Sequence, residues 1–319
     1  MDKRVCVVGA GYWGKNHIKT LNKLGALGSI VDSDEDTLKL LSLIYPDIKT
    51  YSKVEDALFA NYDGYVVATP AITHFEIAKM VIKAKKHVLI EKPMSLSSKE
   101  AEELVRLSEK YKVNVVVGHV LLFHPAITKI KNLINEGAIG DLQYIYSNRL
   151  NLGKVRTQEN VFWSLAPHDI AIFQYLTDST PKKINSKGSA FLQKGIPDST
   201  ITQFEYDNEI KGHIFVSWLH PFKEHRLVVI GSEAMISFED TLSDKPLKLY
   251  SKKIDLNSGV PEKVDGPVEI IPFSKKMPLE IELEYFLDCL GNTKPEISNI
   301  YHGLEVVKTL VKASSQLLR

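Results

Sequence analysis

Residues 5–14 read VCVVGAGYWG, an apolar run that breaks into Gly9-x-Gly11-x-x-Gly14 and then into a helical pattern. His17, Ile18, Leu21 and Leu24 continue it at helical spacing, and Gly25 ends it. Residues 26–31 form a second apolar run that stops at Asp32. The gap from Gly11 to Asp32 matches the about 20 residues that separate a phosphate-binding glycine turn from a ribose-binding acid. A lone glycine triplet is weak evidence. One that follows a strand, opens a helix and meets an acid at this distance points to a dinucleotide cradle.

Working outward, strands and helices alternate. Helical patterns are expected over 35–44, stopped by Pro46, and over a short stretch from Glu55 to Phe59; a short strand is expected near Tyr51. Residues 64–68 (GYVVA) read as a buried strand ending at Thr69-Pro70. Residues 73–84 are amphipathic, with Phe75, Ile77, Ala78, Val81 and Ile82 on one side. Residues 87–90 form the next strand, which ends at Glu91-Lys92-Pro93. A helix over 99–110, capped by Ser97 or Ser98, and a strand over 114–117 complete a parallel, doubly wound sheet.

After about residue 120 the texture changes. Helices are expected over 126–136, 168–176, 280–290 and 300–317. Residues 142–150, 186–193, 200–207, 210–219, 225–230 and 234–239 alternate as half-exposed strands do. The expectation is α/β: a Rossmann, NAD-binding domain over 1–120, then an α+β domain over 121–319 with a mostly antiparallel open sheet, serving substrate binding and oligomerisation. The C-terminal helices are expected to pack back on the first domain.

The 319 residues are 44% hydrophobic and 25% charged, with a net charge of +1. That neutrality offers no argument for nucleic acid or a membrane surface. No apolar run approaches the about 20 residues that span a bilayer, and no leader precedes the first strand, so a cytoplasmic protein is expected. The two cysteines, Cys6 and Cys289, have no metal-ligand or disulfide spacing. His119 and His124, five apart, suggest core or pocket lining more than a metal, and no metal is expected.

The stretch from Thr69-Pro70 through His74 to Glu91-Lys92-Pro93, together with the glycine fingerprint, resembles the signature of the Gfo/Idh/MocA oxidoreductases over the whole chain. Within that family GYWGKN at 11–16, YSNRLNLGKVR at 146–156 and WSLAPHD at 163–169 are similar to the nucleotide-sugar 3-dehydrogenases. That group oxidises UDP-N-acetylglucosamine or its uronic acid at C3, and a separate aminotransferase then acts on the ketone, as in lipopolysaccharide (lipid A) biosynthesis. The resemblance also implies a dimer or tetramer, and a place for His74 in the cofactor site. One departure stands out: many relatives carry Asp four residues before the catalytic histidine, where this chain has Ser164.

The cofactor residues expected are Gly9, Gly11, Tyr12, Trp13, Gly14, Asp32, Thr69, Pro70, His74, Glu91 and Lys92. Tyr12 and Trp13 either flank the pyrophosphate or cover the domain edge. A carboxylate at Asp32 accepts hydrogen bonds from both ribose hydroxyls and repels a 2′-phosphate, which favours NAD; otherwise it is a turn aspartate in the run DSDED. Lys92, ending a strand at the carboxyl edge of the sheet, is the first catalytic candidate. Isolated lysines are usually solvated, and the Glu-Lys-Pro setting is what singles this one out. Glu91 contacts the nicotinamide ribose or holds the lysine.

His168 is the second catalytic candidate: beside Pro167 it is expected at the start of a helix, where the dipole keeps imidazole neutral and available as a base. Its plain alternative is a helix cap. Asp169 reads as a first-turn acid, and Ser164 orients His168 or touches substrate. Arg149, Asn151, Lys154 and Arg156 form a basic stretch suited to a UDP diphosphate, or else a solvated loop. Asn160 and Trp163 are expected to face the sugar ring. The function expected is NAD-dependent oxidation of a UDP-aminosugar at C3, UDP-N-acetylglucosamine first. The rivals are a free-sugar or cyclitol dehydrogenase, such as one for myo-inositol, and an NAD-binding regulatory module without turnover.

Overall fold

The computed structural model describes residues 3–291 and 293–317. The chain divides into two units: the chain up to Phe123 with Lys276–Lys308, and His124–Lys275 with the chain from Thr309.

The first unit begins with β1 (Val5–Val8), α1 (Tyr12–Lys23), β2 (Leu27–Val31), α2 (Glu35–Ile44), β3 (Lys49–Tyr51) and α3 (Val54–Phe59). It continues with β4 (Gly64–Val67), α4 (Ala71–Lys83), β5 (His87–Glu91), α5 (Ser98–Tyr111) and β6 (Val115–Gly118). All pairings in its sheet are parallel, in the order β3-β2-β1-β4-β5-β6. Strands β1, β4 and β6 are buried on both faces, which is why they read as unbroken apolar runs. The order reverses between β1 and β4, the switch point outside which such sheets bind ligands. Ser97 caps α5 by accepting the Glu100 amide. Segment 298–299 covers the β6 edge: the Ser298 carbonyl accepts the Val117 amide, and the Ser298 hydroxyl donates to the Val117 carbonyl.

The second unit holds α6 (Pro125–Asn135), β7 (Leu142–Leu150), α7 (Val161–Thr177), β8 (Lys183–Ser189), β9 (Ser199–Glu205), β10 (Lys211–Ser217), β11 (Glu224–Gly231) and β12 (Met235–Glu239). Strands β13 (Leu247–Tyr250), β14 (Lys253–Asp255), β15 (Glu262–Val264) and β16 (Val268–Ile270) follow. An eight-stranded sheet runs β16-β13-β12-β11-β7-β10-β9-β8, antiparallel except for the β7–β10 pair. β14 and β15 form a separate ribbon. Helix α7 packs on β7, β9 and β10, with Phe173 edge-on to Phe204.

Two helices close the chain: α8 (Pro278–Cys289), in the first unit, and α9 (Ile300–Leu317), whose residues to Lys308 belong to the first unit and whose remainder belongs to the second. The α/β class, the parallel sheet and the mostly antiparallel second sheet are those expected. Strands β13–β16 are additional to the expectation. They are short, and Lys248, Lys252, Lys253, Glu262 and Lys263 interrupt their apolar alternation.

Candidate active site

In the first unit the glycine turn joins β1 to α1. Gly9 has φ +94°, and a Cβ there would lie 2.8 Å from the Thr69 amide nitrogen. A Cβ on Gly14 would lie 1.8 Å from the Gly9 carbonyl oxygen, so α1 packs against its own turn only with glycine there. Gly11 is different: it is exposed, and a Cβ on it would meet nothing within 4 Å. It is the N-cap of α1, no side chain caps the helix, and the first turn carries no acid. The amides of that turn are left for an anion, which fits a dinucleotide pyrophosphate. Tyr12 is 84% and Trp13 39% exposed beside the turn, ring edge to ring face.

Asp32 ends β2. Its Oδ2 accepts the Ala10 amide at 2.6 Å and its Oδ1 the Asp34 amide at 2.9 Å, so the carboxylate is fastened to the glycine turn. Asp34 caps α2, and the Thr37 hydroxyl holds its carboxyl below the usual range. Residues 33–38 contain no lysine or arginine. Such surroundings suit ribose hydroxyls and oppose a 2′-phosphate.

Thr69 and Pro70 follow β4. His74, 1% exposed, lies between two backbone carbonyls: Nε2 is 2.8 Å from Thr69 O, and Nδ1 is 2.9 Å from Pro93 O. Its ring ties the loop after β4 to the loop after β5 from below. Lys92 is half-buried at the carboxyl end of β5, and the Lys92–Pro93 peptide is cis. Glu91, 7% exposed, accepts the Lys92 amide on Oε2 at 3.2 Å and a hydrogen bond from His17 Nε2 on Oε1 at 2.7 Å.

Two residues here lay outside the expectation. His17, 0% exposed on the inner face of α1, and Glu282, 0% exposed on α8, join Glu91 in a buried cluster. The signal was available: Glu282 interrupts the apolar stripe Leu279, Leu283, Phe286, Leu290, where a carboxylate has no business unless it is neutral or paired. Burial and then the Glu91 charge push the Glu282 carboxyl well above the usual range. His119, buried after β6, packs edge-to-face on His302 at 5.7 Å. Burial, then His302 and Lys92, drive its imidazole well below the usual range. His124 caps α6 by accepting the Ala126 amide and packs on Phe238 and Phe273. Among the described residues, no three His, Cys, Asp or Glu side chains gather as a metal site.

In the second unit α7 corrects the sequence expectation. It starts at Val161, capped by Asn160, whose Oδ1 accepts the Trp163 amide at 3.1 Å. Pro167 lies inside the helix, where its missing N–H leaves the Trp163 carbonyl without its helical donor. His168 therefore sits in the body of the helix, and the N-terminal dipole does not act on it. Ser164 and His168 are one turn apart on one face, both half-buried, and Trp163 is half-buried beside them.

Asp169 is not a first-turn acid. It is 1% exposed and accepts Ser147 Oγ at 2.6 Å, Arg149 Nε at 2.8 Å and Arg149 Nη2 at 3.0 Å. Arg149 was expected at a diphosphate. Instead the β7 alternation turns Ser147 and Arg149 to the buried face, where the guanidinium closes on Asp169. His225 pairs with Arg149 across β11 and β7, and burial, then Arg149, lower it to about 4. The loop after β7 keeps the rest of the basic stretch: Asn151 half-buried, Lys154 and Arg156 exposed, Arg156 Nε 3.8 Å from Glu159.

Residues 3–119 match the family model described as oxidoreductase family, NAD-binding Rossmann fold, of the GFO/IDH/MocA group, and residues 127–237 match the GFO/IDH/MocA C-terminal domain. The UDP-N-acetylglucosamine 3-dehydrogenase of Acidithiobacillus ferrooxidans is 24% identical over 310 residues, 95% of this chain and 94% of that one. A crystal structure of that enzyme superposes with a TM-score of 0.86 at 22% identity, covering 98% of this chain and 97% of that one. The scyllo-inositol 2-dehydrogenase (NAD+) of Bacillus subtilis is 26% identical over 92% of this chain and 88% of its own. The D-xylose 1-dehydrogenase [NADP+] of Haloarcula marismortui is 22% identical over 96% and 89%.

Proposed function

The chain belongs to the Gfo/Idh/MocA oxidoreductase family, and from that premise we propose that it is an NAD-dependent dehydrogenase of nucleotide sugars, oxidising the C3 hydroxyl of a UDP-aminosugar to the ketone. UDP-N-acetylglucosamine is the first substrate and its uronic acid the second. The observation that carries the substrate class is the likeness, along nearly the full length of both chains, to the Acidithiobacillus ferrooxidans enzyme.

When bound, the nicotinamide supplies the hydride acceptor. The amides at the start of α1 and the open Gly11 hold the pyrophosphate, Asp32 accepts from the adenosine ribose hydroxyls, and Thr69, Pro70, Tyr12 and Trp13 flank the dinucleotide. His74 acts by tying the Thr69 and Pro93 loops together. Lys92 donates from Nζ to the C3 oxygen, and His168 takes the hydroxyl proton on a ring nitrogen as the hydride leaves C3. Ser164, one turn from His168, takes the place that carries Asp in many relatives. Lys154 and Arg156, with Asn151, serve the diphosphate; Arg149 does not, because Asp169 already occupies its guanidinium. Asn160 and Trp163 border the sugar. NAD is preferred over NADP because Asp32 and Asp34 put negative charge where a 2′-phosphate would bind.

The open face of the second sheet carries Tyr144, Tyr146, His213 and Phe215. Tyr146 and His213 stack at 5.1 Å. This face is the proposed contact of a homo-oligomer, and the ketone is the proposed substrate of an aminotransferase. A cyclitol dehydrogenase is the rival, favoured by the Bacillus subtilis likeness and by the withdrawal of Arg149 from the basic stretch.

The test is NADH absorbance with UDP-N-acetylglucosamine, its uronic acid and myo-inositol in parallel, with an aminotransferase trap for the ketone. Reduction with a UDP-sugar alone supports the proposal. Reduction with myo-inositol alone overturns it in favour of the rival.

A further inference from the structure

Beneath the Lys92 turn lies a buried group of side chains that the proposed chemistry does not use. His17 is on α1, three residues past the last fingerprint glycine, and none of its surface is exposed. Its Nε2 is 2.7 Å from Glu91 Oε1, while Glu91 Oε2 accepts the Lys92 amide at 3.2 Å. A carboxylate oxygen has no proton to give, so the imidazole is the donor. The Glu91 carboxylate thus spans from the cofactor-turn helix to the backbone of Lys92. Gly118 of β6 makes room for it: a Cβ there would lie 3.0 Å from Glu91 Cα and Cδ and 3.1 Å from Oε2.

The titratable groups placed against Glu91 are His17 on α1 and Glu282 on α8; His119 after β6 lies near Lys92 and packs on His302 of α9. Glu282 is wholly buried, and neither of its carboxyl oxygens has a hydrogen-bond partner among the described residues. It is held neutral by burial and by Glu91. His119 is neutral for the same reason of burial. Glu91 is the member of this cluster that touches the Lys92 backbone, and His17 is the group that hydrogen-bonds it from the α1 side.

We infer that His17 is a positioning residue for Lys92: it holds the Glu91 carboxyl in place, and through Glu91 it ties the Lys92 backbone to the helix that opens at the glycine turn. The inference rests on the proposed role of Lys92 as the lysine that donates to the C3 oxygen. Without the His17 donor, the Glu91 carboxyl loses the contact that fixes it, and the Lys92 amide loses a fixed acceptor. The turn that carries Lys92 is then held less tightly.

The test compares His17→Leu with His17→Gln, whose amide N–H reaches the place of Nε2. The readout is the rate of Lys92 labelling by an amine-reactive reagent at fixed pH, followed by mass spectrometry. NAD affinity, from tryptophan fluorescence, and kcat and KM with the substrate found above are measured alongside. In His17→Leu the rate of Lys92 labelling rises about threefold or more, and kcat falls about tenfold or more with KM for the sugar little changed. His17→Gln restores both. A Lys92 labelling rate and kcat at wild-type values in His17→Leu overturn the inference. So does a His17→Gln variant, folded by circular dichroism, as impaired as His17→Leu. The labelling curve needs no sugar substrate, so it fails independently of the proposed activity. Failure of the proposed role of Lys92 itself would show instead as full turnover in Lys92→Met.

Discussion

Lys92 is where the proposed chemistry concentrates, and it makes the sharpest single-residue expectation. Lys92→Met keeps the aliphatic stem and removes the ammonium; kcat should fall by about a hundredfold or more, with NAD binding by fluorescence near wild type. A wild-type kcat would remove Lys92 from the mechanism. Asp32 makes the second. Asp32→Ala removes the acceptor of the ribose hydroxyls, so kcat/KM with NAD should fall about ten- to a hundredfold while that with NADP rises; steady-state kinetics with both cofactors reads the switch. The positions of the glycines at the turn, of Asp32 at the end of β2 and of Lys92 at the end of β5 were legible in the sequence, because backbone geometry ties the glycines to their neighbours: Gly9 by its positive φ and its approach to Thr69, Gly14 by its approach to Gly9. Arg149 was not. The alternation Tyr146-Ser147-Asn148-Arg149 placed it on one face of the strand, but only its partner Asp169 shows that this face is buried. That pairing crosses from a strand to a helix, and no local pattern encodes it.

At the scale of elements, α7 shows what a proline hides. Pro167 next to His168 reads as a helix start, yet the helix runs two turns further back, because Asn160 supplies the cap and the Trp163 carbonyl forgoes one bond. Asn160→Ala should cost about 1 kcal/mol of stability, seen as a lower chemical-denaturation midpoint with unchanged slope. The Arg149–Asp169 pair fixes α7 to β7, and with it the helix that carries His168. Arg149→Met should destabilise the protein by about 3–5 kcal/mol, because it leaves Asp169 buried and unpaired. The double variant with Asp169→Leu should recover much of that loss in the same denaturation series. An Arg149→Met variant as stable as wild type would mean that Asp169 finds other compensation. Long periodic helices such as α5 and α9 were legible within a residue or two. The β14–β15 ribbon was not, since it is exposed and carries no buried face to impose a pattern.

At the scale of the molecule, buried histidines set the response to acid. Burial lowers His87, His119, His124, His213 and His225, the last to about 4. Between that value and the ordinary 6.5 the unfolded chain binds the proton and the folded chain does not, so stability is present above pH 6.5 and is lost as pH falls toward 4. His225 alone accounts for up to about 3 kcal/mol of that loss. Thermal melts should therefore drop steadily from pH 7 to about pH 5, and His225→Gln should flatten part of the slope. Glu282 works in the other direction: its raised carboxyl contributes stability below the unfolded carboxyl range, lost as pH rises through the folded value. Glu282→Gln should be the less pH-sensitive protein on the alkaline side. Fold class and the paired sheets follow from patterns spread along the whole chain, whereas this acid response follows from tertiary burial alone. The most direct test of the whole account is transfer of label from UDP-N-acetylglucosamine deuterated at C3. The account predicts deuterium on the nicotinamide of the reduced cofactor and a UDP-linked 3-ketone as product. No deuterium in the cofactor, with reduction driven by myo-inositol instead, would contradict it.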